Sequence, residues 1–337
     1  MDNVDLEVLR NCVKWLQGGR RVTLVTVTRT WGSSPRPAGA MLALRDDGLV
    51  TGSVSGGCIE DDLIHRARTH TLTGDKPEVV TYGISGDEAR KFGLPCGGTI
   101  QVVLEPLRAA APMQALLKRV ERRELVAREL DIATGASTLR AASADEGLTF
   151  DGKRLVNVFG PRYRLIIIGA GQLSRFIAQI ALGLDYQVTI CDPRSEYMDL
   201  WDVPEVALVR GMPDDVVREM RPDAHTAVIA LTHDPKLDDM ALMEALKSQA
   251  FYVGAIGSRA NNEKRRARLR EFDVTEEELA KLHGPIGIYI GSRTPPEIAI
   301  SILAEMTAVK NGVVLPPEVR VDVAKAAQAS TAGCVVV

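Results

Sequence analysis

An apolar run followed by a glycine-rich turn constrains the second half of the chain most strongly. Residues 164–168 (RLIII) are apolar after the first position, which is typical of a parallel strand covered on both faces. Gly169-Ala170-Gly171 follows and leads into a segment of helical periodicity. Strand-like and helix-like segments then alternate to about residue 312. This alternation predicts right-handed crossovers and a Rossmann-like, doubly wound parallel sheet.

The same glycine turn indicates a phosphate site. Gly169 and Gly171 stand between strand and helix, and Asp192 lies 21 residues beyond Gly171 (192 − 171), which meets most of the dinucleotide fingerprint. Ser174 replaces the third glycine of that fingerprint. The free N–H groups of the helix could hold a phosphate. NAD(P) could therefore bind here, and Arg194 leaves NAD versus NADP open.

Polar residues also follow the other predicted strands, at the carboxyl ends where open α/β sheets bind ligands. His233 could be a general acid or base, or it could cap the next helix or face solvent. We interpret the basic residues 264–270 as a solvated helix face, with a partner surface as the alternative. The groups at the carboxyl ends are Thr232-His233-Asp234, Gly257-Ser258-Arg259, and Arg293 with Glu297.

A second glycine-rich stretch organises the first half of the chain. Residues 52–60 (GSVSGGCIE) separate a β-rich run from an amphipathic helical pattern. Glycine lets another group approach the backbone closely, and Cys58 falls in the first helical turn, where unpaired N–H groups favour an anion. The residues predicted to contact a ligand here are Ser55, Gly56, Gly57 and Cys58.

The alternative for this stretch is a tight connection that carries a buried, unreactive cysteine. Glu60, Asp61 and Asp62 also oppose a thiolate at Cys58, because a helix N-terminus supplies only roughly half a positive charge. Cys58 would therefore need a metal, a ligand or a nearby arginine to become reactive.

A second cysteine stands at a similar junction, where Cys96 and Gly97 precede the strand predicted over residues 99–104. Arg36 lies in a polar, proline-containing loop between two other predicted strands. Two cysteines without a CxxC pair are poor evidence for structural zinc, which needs four ligands. Cys58 and Cys96 could instead contact a soft transition metal that is carried on a cofactor.

These segments predict four regions. Neither the net charge of −3 nor the 4% aromatic content suits nucleic-acid binding, and no apolar run approaches the ~20 residues that span a bilayer. Five scattered cysteines and an acidic N-terminus without a signal-peptide pattern predict a cytoplasmic protein. The regions are a smaller α+β domain (1–108), a connector (109–162), the Rossmann-like domain (163–312) and a tail (313–337).

Taken together, seven motifs resemble the XdhC/CoxI family, accessory proteins of xanthine dehydrogenase and related molybdenum hydroxylases. The resemblance covers residues 20–105 and 163–310. In the first half it is carried by residues 32–36 (GSSPR), 52–60 (GSVSGGCIE) and 96–98 (CGG). In the second half it is carried by residues 169–171 (GAG), 231–234 (LTHD), 253–259 (VGAIGSR) and 294–299 (TPPEIA).

The resemblance implies a carrier of the molybdenum cofactor. Family members are thought to bind this molybdopterin, protect its sulfurated form and deliver it to the apo-hydroxylase. By resemblance, the helix behind Gly169 and Gly171 holds the pterin phosphate, Cys58 or Cys96 approaches the molybdenum, and Arg36 faces its oxo groups. A xanthine dehydrogenase-type hydroxylase and a cysteine desulfurase-type sulfurtransferase are the implied partners, and a homodimer is conceivable.

Two other functions stay open from the residues alone. An NAD(P)-dependent oxidoreductase would hold the dinucleotide in the second domain and present substrate to His233. A redox-sensing or partner-binding module would form a mixed disulfide through Cys58 or Cys96. The carrier hypothesis predicts further that both cysteines face Gly171 across one cleft.

Overall fold

The structure is a computed structural model that describes residues 3–32, 36–72, 74–83, 98–321 and 323–325. The chain divides into two compact units, residues 1–161 and 162–337. In the described ranges, no helix has the length and apolar character needed to cross a membrane.

The first unit is built on a five-stranded antiparallel sheet with the strand order β3-β2-β1-β5-β4. Alternate residues of its central strands pack against a helix on each face, as the two-residue period of a strand requires. Leu24 packs with Leu9 of α1, and Val25 packs with Ile59 of α2. The elements are α1 (Asn3–Gln17), β1 (Val22–Trp31), β2 (Met41–Arg45), β3 (Val50–Gly52), α2 (Cys58–Arg68), β4 (Glu78–Tyr82) and β5 (Thr99–Leu107).

The stretch predicted as a connector carries a helix and a second antiparallel sheet, with the strand order β7-β6-β9-β8. Met113 and Phe159 share a core with α1. A buried ion pair between Glu105 and Arg128 joins the two sheets, with Nη1 of Arg128 donating to Oε2 of Glu105 at 2.9 Å. The elements are α3 (Ala110–Glu121), β6 (Val126–Asp131), β7 (Ser137–Ala141), β8 (Thr149–Phe150) and β9 (Arg154–Phe159).

The second unit is a six-stranded parallel sheet with the order β12-β11-β10-β13-β14-β15, which confirms the predicted Rossmann-like fold. The order reverses between β10 and β13, and ligands of such sheets bind at this switch point. The strands are β10 (Tyr163–Ile168), β11 (Tyr186–Cys191), β12 (Ala207–Val209), β13 (Thr226–Ala230), β14 (Tyr252–Ala255) and β15 (Leu282–His283).

Helices cover both faces of the parallel sheet, so β10 is apolar throughout its buried part. Leu165 and Ile167 face one helical layer, and Ile166 and Ile168 face the other. The first layer contains α4 (Gln172–Gly183) and α10 (Pro295–Lys310). The second contains α6 (Pro213–Met220), α7 (Pro235–Lys247), α8 (Arg259–Glu271) and α9 (Glu276–Ala280), while α5 (Ser195–Met198) is a single turn.

Candidate functional site

Three loops lie at one end of the five-stranded sheet in the first unit. β1 ends at Trp31, which pairs with Thr99, the first residue of β5. β3 ends at Gly52, which pairs with Leu42 near the start of β2. Since the pairing is antiparallel, the end of β1, the end of β3 and the start of β5 all lie at this end of the sheet.

The described parts of these loops are in contact. Nε of Arg36 donates to the carbonyl oxygen of Ser53 at 3.2 Å, which joins the first loop to the glycine-rich turn. A Cβ added at Gly32 would lie 3.4 Å from Cα of Gly98, so the first and third loops approach closely. Cys96 and Gly97 lie outside the described residues, and so does the side chain of Cys58.

The N–H groups of the glycine-rich turn are occupied by the side chain of Glu60. Its carboxylate accepts hydrogen bonds of 2.8–3.1 Å from four consecutive backbone N–H groups. It also accepts from two serine hydroxyls. These N–H groups are therefore not available to a ligand, contrary to the expectation from the glycine pattern. The donors are the N–H groups of Val54, Ser55, Gly56 and Gly57 and the hydroxyls of Ser53 and Ser55.

This arrangement keeps Glu60 ionised. Burial raises the pKa of its carboxyl, but the hydrogen bonds from Ser55 and Ser53 outweigh burial and lower the pKa to about 2. The neighbouring Asp62 accepts a hydrogen bond from the hydroxyl of Tyr82 at 3.0 Å. Glu60 and Asp62 thus stabilise the local structure, rather than serving only as charges that oppose a thiolate.

The switch point of the second unit places Gly169 against Thr232. Gly169 has a φ of +107°, and a Cβ there would lie 3.0–3.2 Å from three atoms of Thr232. Only glycine accepts that conformation readily. The loops that follow β10 and β13 therefore touch.

The N-terminus of α4 begins at this contact and carries no side-chain cap. Gly171 is the N-cap residue, and nothing lies within 4 Å of the position that a Cβ would take there. The first N–H groups of a helix have no partner inside the helix. They can therefore bind an anion such as a phosphate group.

Asp192 is engaged within the protein. Its carboxylate is completely buried and accepts four hydrogen bonds of 2.9–3.0 Å, one from the N–H of Ala170 and three from Arg194. Burial raises the pKa of Asp192, but the bonds from Arg194 and Ala170 lower it overall. Because this carboxylate is completely buried and both of its oxygens already accept hydrogen bonds within the protein, it is not open to a ribose as the fingerprint would require.

His233 lies at the same edge, in the left-handed conformation with a φ of +61°. Its side chain is exposed and makes no hydrogen bond within the described ranges. The neighbouring Asp234 caps α7 by accepting from the N–H of Lys236 at 2.9 Å. The capping alternative for His233 is therefore wrong, and its side chain faces solvent, while its role as a general acid or base stays a prediction.

A buried ionic network that was not predicted supports the loops beside the switch point. Arg265 is only 5% exposed and donates to Asp239 at 3.1 Å, to Asp238 at 3.2 Å and to the carbonyl of Ile256 at 2.9 Å. Asp238 also accepts from the N–H and hydroxyl of Thr232. The interpretation of residues 264–270 as a solvated face is thus wrong for Arg265. The signal in the sequence was the acidic pair Asp238-Asp239 inside an apolar helix.

The predicted site residues fall into three groups. Arg36 and the turn before Cys58 meet in the first unit, while Gly169, Gly171, Asp192 and His233 surround the switch point in the second. Arg259 is exposed at the start of α8, after Ser258 caps that helix. In the part of the chain that the structure describes, no three His, Cys, Asp or Glu side chains are placed to hold a metal ion.

Comparisons with known proteins cover both units. Residues 165–306 match the XdhC Rossmann domain, and residues 15–83 match the XdhC and CoxI family. The molybdenum cofactor insertion chaperone PaoD of Escherichia coli (strain K12) is 31% identical over 90% of this chain and 88% of its own. A probable xanthine dehydrogenase subunit of Bacillus subtilis (strain 168) is 24% identical over 86% of this chain and 94% of its own. The crystal structure of a xanthine dehydrogenase from Bacillus halodurans superposes with a TM-score of 0.68 and 25% identity, covering 94% of this chain and 99% of that one.

Proposed function

The chain belongs to the XdhC and CoxI family, and we propose that it binds the molybdenum cofactor and delivers it to a molybdenum hydroxylase of the xanthine dehydrogenase type. The observation that carries this proposal is the 31% identity, over 90% of the chain, to a molybdenum cofactor insertion chaperone. The cofactor is cargo here, so the residues need to hold and release it rather than catalyse a reaction.

The phosphate of the pterin is assigned to the N-terminus of α4. That helix has no side-chain cap and open space beside Gly171, so its first N–H groups can donate to phosphate oxygens. In contrast, the N–H groups of the turn before α2 are saturated by Glu60. Of the two glycine-rich stretches, the one before α4 is therefore the better phosphate site.

The molybdenum end of the cofactor is assigned to the turn that carries Cys58, together with Cys96. A thiolate suits a soft metal centre, and the guanidinium of Arg36, anchored on Ser53 at 3.2 Å, is suited to anionic oxo groups. The thiols supply a soft ligand and the arginine supplies positive charge.

An NAD(P)-dependent oxidoreductase is the weaker alternative. The saturated carboxylate of Asp192 argues against dinucleotide binding in the NAD manner. We also propose a cytoplasmic location, docking to a sulfurtransferase that supplies the terminal sulfur, and self-association as a homodimer.

The test is to produce the protein in cells with an active cofactor pathway and to measure molybdenum and pterin in the purified material. Roughly equimolar molybdenum and pterin are expected, with marked losses in Cys58→Ala and Cys96→Ala and none in Cys334→Ala. Parent protein that lacks both components would contradict the function. Full retention by the Cys58 and Cys96 variants would overturn only the assignment of the thiols.

A further inference from the structure

Glu60 makes more hydrogen bonds than a helix cap requires. We propose that Glu60 is the positioning residue of the Cys58 turn (residues 53–58), because its carboxylate holds that turn in the shape in which Cys58 meets the cofactor. This inference rests on the proposed function, since it concerns how the same thiol is presented.

The turn has little conformational preference of its own. Gly56 and Gly57 have φ values of +90° and +152°, and glycine visits many other conformations almost as readily. No Cβ contact would restrain Gly57, because nothing lies within 4 Å of that position. The carboxylate of Glu60 supplies the restraint, since it accepts hydrogen bonds from the N–H groups of both glycines.

The chemistry requires a carboxylate at this position. Four consecutive N–H groups that point to one carboxylate, three to its Oε1 and one to its Oε2, form an anion-binding concavity. An ionised carboxylate offers acceptors only. A glutamine would turn its NH₂ group toward some of these N–H donors, so part of the hydrogen bonds that Glu60 accepts would be lost. Ser55 extends the restraint into the helix, because its hydroxyl donates to Glu60 and accepts from the N–H of Ile59 at 3.2 Å.

Glu278 is an ordinary helix-capping residue of this chain and gives a standard of comparison for Glu60. It occupies the same third position of its helix, α9, and its carboxylate accepts from the N–H of Thr275 at 2.8 Å. Glu60 binds four N–H groups and two hydroxyls, and it is 8% exposed. Glu278→Gln is therefore the matched control for a change at a helical cap.

The first experiment measures the molybdenum retained by Glu60→Gln, Glu60→Ala and Glu278→Gln after co-production with the cofactor pathway. Losing a residue that orients a metal contact typically costs about tenfold or more in affinity, so we expect a loss of that size in both Glu60 variants and none in Glu278→Gln. Acetate should restore retention in Glu60→Ala, by filling the vacated concavity, but not in Glu60→Gln, where the amide blocks it. Retention unchanged in both Glu60 variants would overturn the proposal.

A variant with a milder change keeps the proposal testable if Glu60→Ala does not fold. Ser53→Ala removes one hydroxyl donor to Glu60 and the Oγ atom that accepts from the N–H of Gly56. It leaves the four N–H bonds to Glu60, so it should fold and retain about two- to threefold less molybdenum. If Glu60→Ala does not fold, unchanged retention in both Ser53→Ala and Glu60→Gln contradicts the positioning role.

The second experiment does not depend on the cofactor. The exchange of the backbone N–H groups of residues 54–57 with deuterium is followed by peptide mass spectrometry. These N–H groups donate to Glu60, so their exchange should be faster in both Glu60 variants than in the parent and in Glu278→Gln, and acetate should slow it again in Glu60→Ala. Exchange that is unchanged in both Glu60 variants overturns the proposal. If the parent carries no molybdenum but the exchange changes as described, the proposed function fails while the restraint of the turn by Glu60 stands.

Discussion

Arg194 donates a hydrogen bond to each oxygen of the Asp192 carboxylate: its Nε donates to Oδ1 and its Nη2 donates to Oδ2, each at 2.9 Å. The guanidinium also lies over the ring of Tyr197, 4.1 Å from its centroid. In NAD-binding Rossmann sheets the acidic residue at this position hydrogen-bonds the ribose. Here that residue, Asp192, instead binds Arg194 of the same chain.

We accordingly expect that neither NADH nor NADPH binds in the micromolar range. A fluorescence titration of the purified protein with each nucleotide measures this directly. Saturable micromolar binding with turnover of a substrate would instead support the oxidoreductase alternative.

Loss of Arg194 should destabilise the second unit. Arg194→Ala leaves a buried carboxylate without its charged partner, which costs about 2–4 kcal/mol of unfolding free energy. Urea unfolding of the parent and the variant measures the difference. Arg210→Ala is the control, because its pair with Asp199 is exposed on both sides and is worth at most about 1 kcal/mol. Equal effects of the two substitutions would contradict the role of Asp192 as a buried partner.

Gly171→Asp should abolish cofactor binding without lowering the stability of the protein. The residue has φ −80° and ψ −179°, which any residue adopts, and an aspartate there would cap α4 and stabilise it by roughly a few tenths of a kcal/mol at most. The same carboxylate would occupy the N–H groups proposed for the phosphate. We therefore expect an unchanged or higher melting temperature together with loss of bound pterin. Gly171→Ala, which adds no acceptor, should keep the pterin, and equal pterin content in the two variants would contradict the phosphate assignment.

Removal of Arg265 should loosen the loops at the switch point. Arg265→Ala leaves Asp238 and Asp239 buried without this partner, at a cost of about 3–5 kcal/mol. The unfolding free energy in urea measures this. Arg270→Ala breaks an exposed pair with Glu276 and should change stability by less than about 1 kcal/mol. A similarly small effect at Arg265 would show that the network is dispensable.

Glu60 should make stability depend on pH in the acid range. Its pKa falls from 4.5 to about 2 on folding. The stabilisation is therefore fully present above about pH 4.5 and is lost as the pH falls toward 2. Solvent screening reduces the contribution to the order of 1–2 kcal/mol. Urea unfolding at several pH values should show Glu60→Gln less stable than the parent at pH 6, with the gap narrowing toward pH 3. A gap that does not change with pH would contradict an ionised Glu60.

The alternation of strands and helices after residue 163 was enough to predict the parallel sheet, because a strand that is buried on both faces has a nearly continuous apolar sequence such as RLIII. Glu60 was recognised only as one of three acids near Cys58, since helical periodicity does not say that a side chain turns back over its own N-terminus. Asp192 matched the ribose position in spacing, but the spacing does not reveal that Arg194 occupies the carboxylate. Arg265 stands among five other basic residues of the same helix, and only the packing of α8 against Asp238 and Asp239 distinguishes it.

The central claim is that this chain carries the molybdenum cofactor to a hydroxylase. The most direct measurement is the activation of a purified, cofactor-free molybdenum hydroxylase of the xanthine dehydrogenase type by this protein, isolated from cells that make the cofactor. We predict that enzyme activity rises in proportion to the molybdenum that leaves the carrier, and that Gly171→Asp protein activates little. Molybdenum-free protein that leaves the hydroxylase inactive, under conditions in which free cofactor activates it, would contradict the account.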